Sequence, residues 1–238
     1  MIFIPAKYSS TRTPLKNFRS FYNGLSLLQI AIIRSVDSKC GPVVVSSENI
    51  LEAKIQLESL PTKYHTKVTL HDRPKAFAKD PATIINVLVN FMESYSDNLP
   101  SEMAVVLPTS PFNSSDDIVK AFDSFGLSKC DKLLSVSKSD KPPFNAWVSD
   151  DKDTIKLAFP ESQYSKTQST SCPDTYFSNG CISIYNTKVL MSGNNFKFTQ
   201  GFFMSRISSL DIDYEYEFEL AQMTFLKWSK DVDRINSI

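Results

Sequence analysis

Short apolar runs alternate with longer stretches of helical periodicity along most of the chain. Ile2-Phe3-Ile4-Pro5, Val43-Val44-Val45-Ser46, Lys67-Val68-Thr69-Leu70, Met103–Leu107 and Lys132–Ser137 read as strands. The most apolar of them suit burial on both faces. Between them, Ser26–Ser35, Glu48–Leu60, a stretch from Pro81 to Met92 and another from Asp116 to about Phe125 repeat apolar residues as helices do. Their ends are marked locally. Asn23-Gly24 is a turn, Gly41-Pro42 is a break, and Ser46 or Ser47 is a candidate cap for the second helix. Asp80 is a candidate cap ahead of Pro81 at a first helical position. Alternation of this kind predicts one α/β domain over residues 1–238, with a mostly parallel sheet covered by helices on both faces.

The alternation fails from Lys138 to Thr175, where charges, prolines and serines dominate and Trp147 and Phe159 stand as isolated anchors. A long excursion in a compact domain predicts a flap or small antiparallel extension over a cleft. Tyr176–Tyr185 returns to strand character, and Asn179-Gly180 within it predicts a bulge or a close backbone approach. The stretch 192–210 carries Phe196, Phe198, Phe202, Phe203 and Met204 outside the α/β repeat, which predicts an interface. Phe218, Ala221, Phe225 and Trp228 then form the core stripe of a last helix.

The first strand opens into a loop, 6–17, that holds Lys7, Arg12 and Lys16 among hydroxyls and no carboxylate. Ligands of open α/β sheets bind at the carboxyl ends of the strands. This loop can therefore neutralise a polyphosphate, with Ser10 and Asn17 as further hydrogen-bonding groups; the alternative is a solvated basic loop. Arg73 follows the third strand at the same predicted edge, pointing into the cleft or solvated. Pro108-Thr109-Ser110-Pro111 is a rigid, hydroxyl-bearing turn after the fourth. Asp211 and Asp213, two apart in an extended segment, point to one side. Two such carboxylates suit Mg²⁺, which binds one or two carboxylates plus substrate phosphates; the alternative is an acidic start to the helix that follows.

Composition narrows the field. Lys plus Arg is 26 and Asp plus Glu is 26, so no basic excess points to nucleic acid or an anionic membrane. No apolar run approaches the ~20 residues of a membrane span, and the N-terminus lacks a signal-peptide pattern. Cys40, Cys130, Cys172 and Cys181 form no CxxC pair, which argues against a zinc site and for reduced thiols in a cytoplasmic protein. Neither G-x-G-x-x-G nor a Walker loop is present.

Four separated stretches resemble the acylneuraminate cytidylyltransferases, the CMP-sialic acid synthetases. They are Ile4-Pro5-Ala6-Lys7 through Arg12-Thr13-Pro14-Leu15-Lys16-Asn17, Arg73-Pro74 through Ala78-Lys79-Asp80, Leu107-Pro108-Thr109-Ser110-Pro111, and Asn179-Gly180 with Leu210-Asp211-Ile212-Asp213. The resemblance implies a Rossmann-like nucleotidyltransferase fold and a homodimer, with the excursion and the Phe-rich segment supplying dimer contacts. It implies that the anomeric hydroxyl of a 2-keto sugar acid attacks the α-phosphate of CTP and releases pyrophosphate. Lys7, Ser10, Arg12, Lys16 and Asn17 would then hold the triphosphate. Arg73, Pro108, Thr109 and Ser110 would line the nucleotide side. Asp211 and Asp213 would hold Mg²⁺, and Lys16, Arg12 and Asp211 would be the catalytic groups.

The sugar side departs from the family pattern. Leu107 stands where a Gln is usual, Asn145 where a Lys is common, and the Arg usual before Asn179 has no match, although Lys166 and Gln168 lie nearby. The loop spelling Tyr8-Ser9-Ser10-Thr11-Arg12 replaces a glycine pair and is closer to the 3-deoxy-manno-octulosonate cytidylyltransferases. Asn179, Asn145 and Leu107 are thus the candidate substrate-side residues. The resemblance leaves open a different nonulosonate, a 3-deoxy-manno-octulosonate-type acceptor, another nucleotide, or a catalytically weak binding module.

Overall fold

A computed structural model describes residues 1–79, 81–95, 99–149, 153–193 and 195–228. Asp80, the expected cap, lies outside the described residues. Seven strands form the main sheet: β1 (Ile2–Pro5), β2 (Val43–Ser47), β3 (Val68–Asp72), β4 (Glu102–Val106), β5 (Lys132–Lys138), β6 (Tyr176–Asn186) and β7 (Thr199–Phe203). Their spatial order is β7-β5-β6-β4-β1-β2-β3. β1 pairs parallel with β2 and β4, β2 with β3, and β5 with β7; only β6 runs antiparallel, between β4 and β5.

Alternate residues of the central strands enter two cores. Ile2, Ile4, Val43, Val45, Ala104 and Val106 join one cluster with helix α1 (Leu27–Asp37), α2 (Ile50–Glu58) and α4 (Ser115–Ser128). Phe3, Val44, Met103 and Val105 join the other with α3 (Ile84–Ser94). The period-two side-chain alternation of a strand thus buries both faces of the sheet, as the unbroken apolar runs predict. A third cluster joins Phe21, Leu27, Ile30 and Phe112 to Ile212 and to Phe218, Ala221 and Phe225 of the last helix, α5 (Glu215–Trp228). The side chain of Trp228 lies outside the described residues.

Capping chemistry moves three helix starts from their expected places. α2 starts at Ile50 with Asn49 as its cap, not Ser46 or Ser47. α3 starts at Ile84, where Thr83 and Asn86 form a reciprocal capping box, so Pro81 is not its first residue. α4 starts at Ser115 behind a Ser114–Asp117 box. Asn23-Gly24, with φ of 48° and 81°, closes a short hairpin of Ser20–Tyr22 on Leu25–Ser26, as left-handed turn geometry requires.

Two further expectations are corrected. The Phe-rich stretch is not wholly outside the α/β repeat: Thr199–Phe203 is the parallel edge strand β7, and Phe202 packs against the core. In the excursion, Trp147–Ser149 pairs antiparallel with Ile155–Leu157. Trp147 and Phe159 do not anchor this pair, being 57% and 52% exposed. The expected bulge is present, as a register shift in the β6–β5 pairing between Ser178 and Ser183.

Candidate active site

The site is built from the segments that leave the carboxyl ends of β1, β2, β3 and β4. The loop 6–17 is pinned from outside itself. Glu48, just after β2, accepts the Tyr8 and Ser9 backbone N–H groups at 2.9 and 2.8 Å and the Ser9 hydroxyl at 2.8 Å. Burial opposes the charged carboxylate, but these donors and the Arg73 charge outweigh it and leave the Glu48 pKa low. By local pattern Glu48 is only a helix start; its partners, two backbone N–H groups and the Ser9 hydroxyl, lie 39 and 40 residues away in sequence. At the far end of the loop, Asn17 donates its amide to the Lys7 carbonyl at 3.0 Å, while its own buried carbonyl oxygen has no partner.

Lys16 is the hinge of the arrangement. It is 8% exposed. Its ammonium donates to the Ile212 carbonyl and, at 3.0 Å, to the Asp213 carboxylate. Arg12 meets the other Asp213 oxygen at 3.0 Å, and the Thr13 hydroxyl donates to the Asp213 carbonyl at 2.9 Å. Ile212 is buried in the third core cluster, and its N–H donates to the Thr109 carbonyl at 2.9 Å. Burial of Ile212 therefore sets its acidic neighbours, Asp211 and Asp213, beside the loop and the Pro108-Thr109-Ser110 turn. Asp211 is exposed as a residue, yet its carboxyl lies against Thr109 and Ser110, with the Ser110 hydroxyl 3.5 Å away. Loss of hydration raises its pKa, and the Asp213 charge adds to this against the Thr109 hydroxyl and Lys16.

Arg73 is 4% exposed and locked to β2, donating to the Ser46 carbonyl at 2.7 Å and to the Ser46 hydroxyl at 3.2 Å. Burial lowers its pKa, opposed by Glu48. It is not a solvated surface charge. With Lys7, Lys16 and Lys79 it lines a cavity of about 200 Å³, floored by Asn17, Leu107, Pro108 and Thr109 and walled by Phe77, Ile84 and Val87. Among the described residues no carboxylate belongs to this lining. Four cations around a space with one apolar wall suit a ligand with a polyanionic end and a flat, weakly polar end.

The structure thus gathers Lys7, Lys16, Asn17, Arg73, Pro108 and Thr109, with Arg12, Ser110, Asp211 and Asp213 beside them. Ser10 is half-buried, its backbone N–H bonded to the Tyr8 carbonyl at 2.9 Å. Leu107, expected on the sugar side, lines the cationic cavity. Asn145 donates to the Thr167 carbonyl at 3.3 Å, within the extension. Asn179 accepts from the Ser135 hydroxyl and the Cys181 N–H and donates to the Ser209 hydroxyl at 2.7 Å. Its amide ties β5 and β6 to the segment before Asp211. Gly180 beside it has φ of 71°, and a Cβ there would come 3.2 Å from the Leu107 side chain.

Among the described residues no cluster of three or more His, Cys, Asp and Glu side chains could hold a metal. Of the expected metal pair, Asp213 has both carboxylate oxygens on Arg12 and Lys16, and Asp211 lies against Ser110. A metal held by two carboxylates must complete its shell with phosphate and water, the mode of Mg²⁺.

No protein-family model matches the chain. It is 33% identical over 152 residues, 63% of its length, to the N-acylneuraminate cytidylyltransferase of Escherichia coli, of which the match spans 35%. It is 26% identical over 226 residues to the post-translational flagellin modification protein B of Campylobacter coli, covering 92% of each. Among solved structures, the CTP complex of CMP:2-keto-3-deoxy-manno-octonic acid synthetase superposes with a TM-score of 0.66 at 12% identity, over 95% of this chain and 98% of that one. The 4-diphosphocytidyl-2C-methyl-D-erythritol synthase of Anaerococcus prevotii superposes at 0.63 and 11% identity, over 94% and 97%. The chain has the fold of these two enzymes, and 63% of its sequence is similar to part of an N-acylneuraminate cytidylyltransferase.

Proposed function

We propose that this chain is a cytidylyltransferase that moves CMP from CTP to the anomeric hydroxyl of a 2-keto sugar acid of the sialic-acid-like class and releases pyrophosphate. One observation carries the reading: a cavity lined, among the described residues, by four cations and no carboxylate lies against a buried-lysine–aspartate contact, at the sheet edge where this fold binds ligands. The likeness to an N-acylneuraminate cytidylyltransferase and to a CTP-bound synthetase supports the choice of nucleotide and acceptor class.

The chain's groups have distinct tasks in such a transfer. Lys7, Lys16 and Lys79 neutralise the triphosphate, and Arg73, fixed to Ser46, holds the deeper part of the nucleotide. Arg12 and Lys16 are held on Asp213 before the nucleotide arrives, so the phosphates inherit cations already placed. The acceptor oxygen bonds the α-phosphorus as its proton passes to water, and the bond from the α-phosphorus to the bridging oxygen breaks, so that pyrophosphate leaves. Positioning and charge neutralisation are what phosphoryl transfer asks of a protein. Asp211 and Asp213 would hold Mg²⁺, which when bound offsets charge developing on the phosphates.

We further infer a homodimer in the cytoplasm. Trp147, Val148, Ile155 and Phe159 expose 42–62% of their surface on the extension, and apolar groups grouped in this way suit a second copy. Four free thiols suit a reducing compartment. Calorimetric titration with CTP, UTP and ATP in Mg²⁺ tests the nucleotide assignment. CTP should bind at least tenfold more tightly than the others; equal affinities, or no CTP binding, would reject it. Light scattering tests the assembly, which should show twice the 26.8 kDa of the chain; the single-chain mass would reject the dimer.

A further inference from the structure

His71 lies one layer behind the cationic cavity, which Arg73 lines and His71 does not. The parallel pairing of β2 and β3 sets Ser46 opposite His71, and Arg73, two residues on, points to the same side of the chain. Three side chains therefore meet. The Ser46 hydroxyl, fully buried, lies 3.0 Å from His71 Nδ1 and accepts the Arg73 Nε–H at 3.2 Å. The Ser46 carbonyl accepts Nη2 of the same guanidinium at 2.7 Å and the Ala6 N–H at 2.8 Å. Ser46 thus ties Arg73 to the first residue of the loop 6–17.

The donors settle the proton positions. A guanidinium only donates, so Ser46 Oγ accepts from Arg73, and its single proton goes to the acceptor in reach, His71 Nδ1. Neutral His71 then carries its own proton on Nε2. The ring is half-buried. β1 and α3 pack Phe3 and Phe91 against it, with centroids at 6.4 and 5.0 Å, and β2 presents Ser46. Among the described residues, the charges that act on it are Arg73 and Asp72, both from the end of its own strand. Burial and then the Arg73 charge hold its pKa below the usual 6.5, against Asp72. An imidazolium here would turn an N–H toward Ser46, leave the hydroxyl proton without its acceptor, and place a second cation beside the guanidinium.

We propose that His71 is a positioning residue for the transfer: through the Ser46 hydroxyl it orients the Arg73 guanidinium toward the cavity that takes the nucleotide. The proposal rests on the cytidylyl-transfer reading above for the identity of the ligand, and on geometry for the link between His71 and Arg73. The link is complete above pH 6.5, where His71 is neutral, and is lost as the pH falls through the lower folded value.

The test uses the full chain and its His71→Asn and His71→Leu variants. Asparagine can accept from Ser46 without titrating, and leucine cannot accept at all. CTP affinity is measured by calorimetry in Mg²⁺ from pH 7.5 to pH 4.5. Each value is divided by that of His71→Asn at the same pH, which removes protonation of the nucleotide and of Glu48. At pH 7.5, His71→Leu should bind CTP about fivefold more weakly than the unaltered chain, and His71→Asn within about twofold of it. The unaltered chain should lose about fivefold against His71→Asn as His71 titrates. The chain has two histidines, so nitrogen-15 NMR of the imidazoles reads the tautomer and titration of His71, with His65→Gln giving the assignment. The Arg73 Nε–H signal reads the guanidinium; it should shift and lose exchange protection over the same pH range. A proton on Nδ1 of His71 at pH 7.5, or an affinity ratio that stays flat while His71 titrates, would overturn the proposal. So would an Arg73 signal that ignores the titration, whether or not CTP binds. A chain that binds no CTP, but whose Arg73 signal follows the His71 titration, would uphold the link to Arg73 and sink the cytidylyl-transfer reading.

Discussion

Lys16 shows how a single side chain ties the candidate chemistry to the fold. A buried ammonium needs partners, because an unpaired charge away from water is costly, and the chain supplies the Ile212 carbonyl and the Asp213 carboxylate. The same ammonium faces the cationic cavity. Lys16→Ala should therefore weaken triphosphate binding far more than CMP binding, with a loss of about a hundredfold in kcat/KM for CTP; equal losses for CTP and CMP would remove the phosphate role. Glu48 works one step behind. Its pKa is lowered from 4.5, so its contribution to holding the loop is complete above that value and is lost as the pH falls through the lower folded value. Glu48→Gln should raise the KM for CTP severalfold at neutral pH and flatten the acid limb of nucleotide affinity measured between pH 5 and pH 3. An unaltered limb would assign the acid loss elsewhere. Lys16, Arg73 and Thr109 were legible because the sequence places cations and hydroxyls directly after strands. Glu48 was not, because its carboxylate serves a loop that only the parallel β1–β2 pairing brings beside it.

At the scale of elements, the site depends on α5, which makes no direct contribution to the cationic cavity. Phe218, Ala221 and Phe225 bury one face of that helix against Phe21, Ile30 and Phe112, and Ile212 is drawn into the same cluster. Phe225 is 1% exposed and meets the rings of Phe21, Tyr22 and Phe112 at 5.2–5.5 Å. Phe225→Ala should cost about 3–5 kcal/mol in urea unfolding and weaken nucleotide binding by releasing Ile212; a cost below ~1 kcal/mol would show that the cluster does not anchor the segment. The helical stripe that builds this cluster was plain in the sequence. β7 was harder to read, because Phe198, Phe202 and Phe203 surround a glycine, Gly201, and the pattern resembles an exposed interface as much as an edge strand. Both descriptions hold in part: Phe202 faces the core, while Phe203 is 64% exposed.

The whole molecule sets a polycationic cavity, over β1 and β4, beside one short acidic segment. The antiparallel β6, inserted between β4 and β5, makes this possible. Its bulge at Asn179 and Gly180 lets the chain tie to Ser209 and pass close to Leu107. Strand-helix alternation predicted the parallel half of the sheet. It could not predict the order of β5, β6 and β7, since strand order follows from long-range pairing and not from local pattern. The surroundings of Asn145 and Leu107, the Thr167 carbonyl and the cationic cavity, follow from long-range contacts in the same way. The measurement that bears most directly on the account is pyrophosphate release from CTP and Mg²⁺ with four sugar acids, N-acetylneuraminate, legionaminate, pseudaminate and 3-deoxy-manno-octulosonate. The account predicts release that requires one of these acids and CTP together, and that is lost in Asp211→Asn while the fold is retained. Release that proceeds equally without an acid, or no release with any of the four despite firm CTP binding, would contradict it.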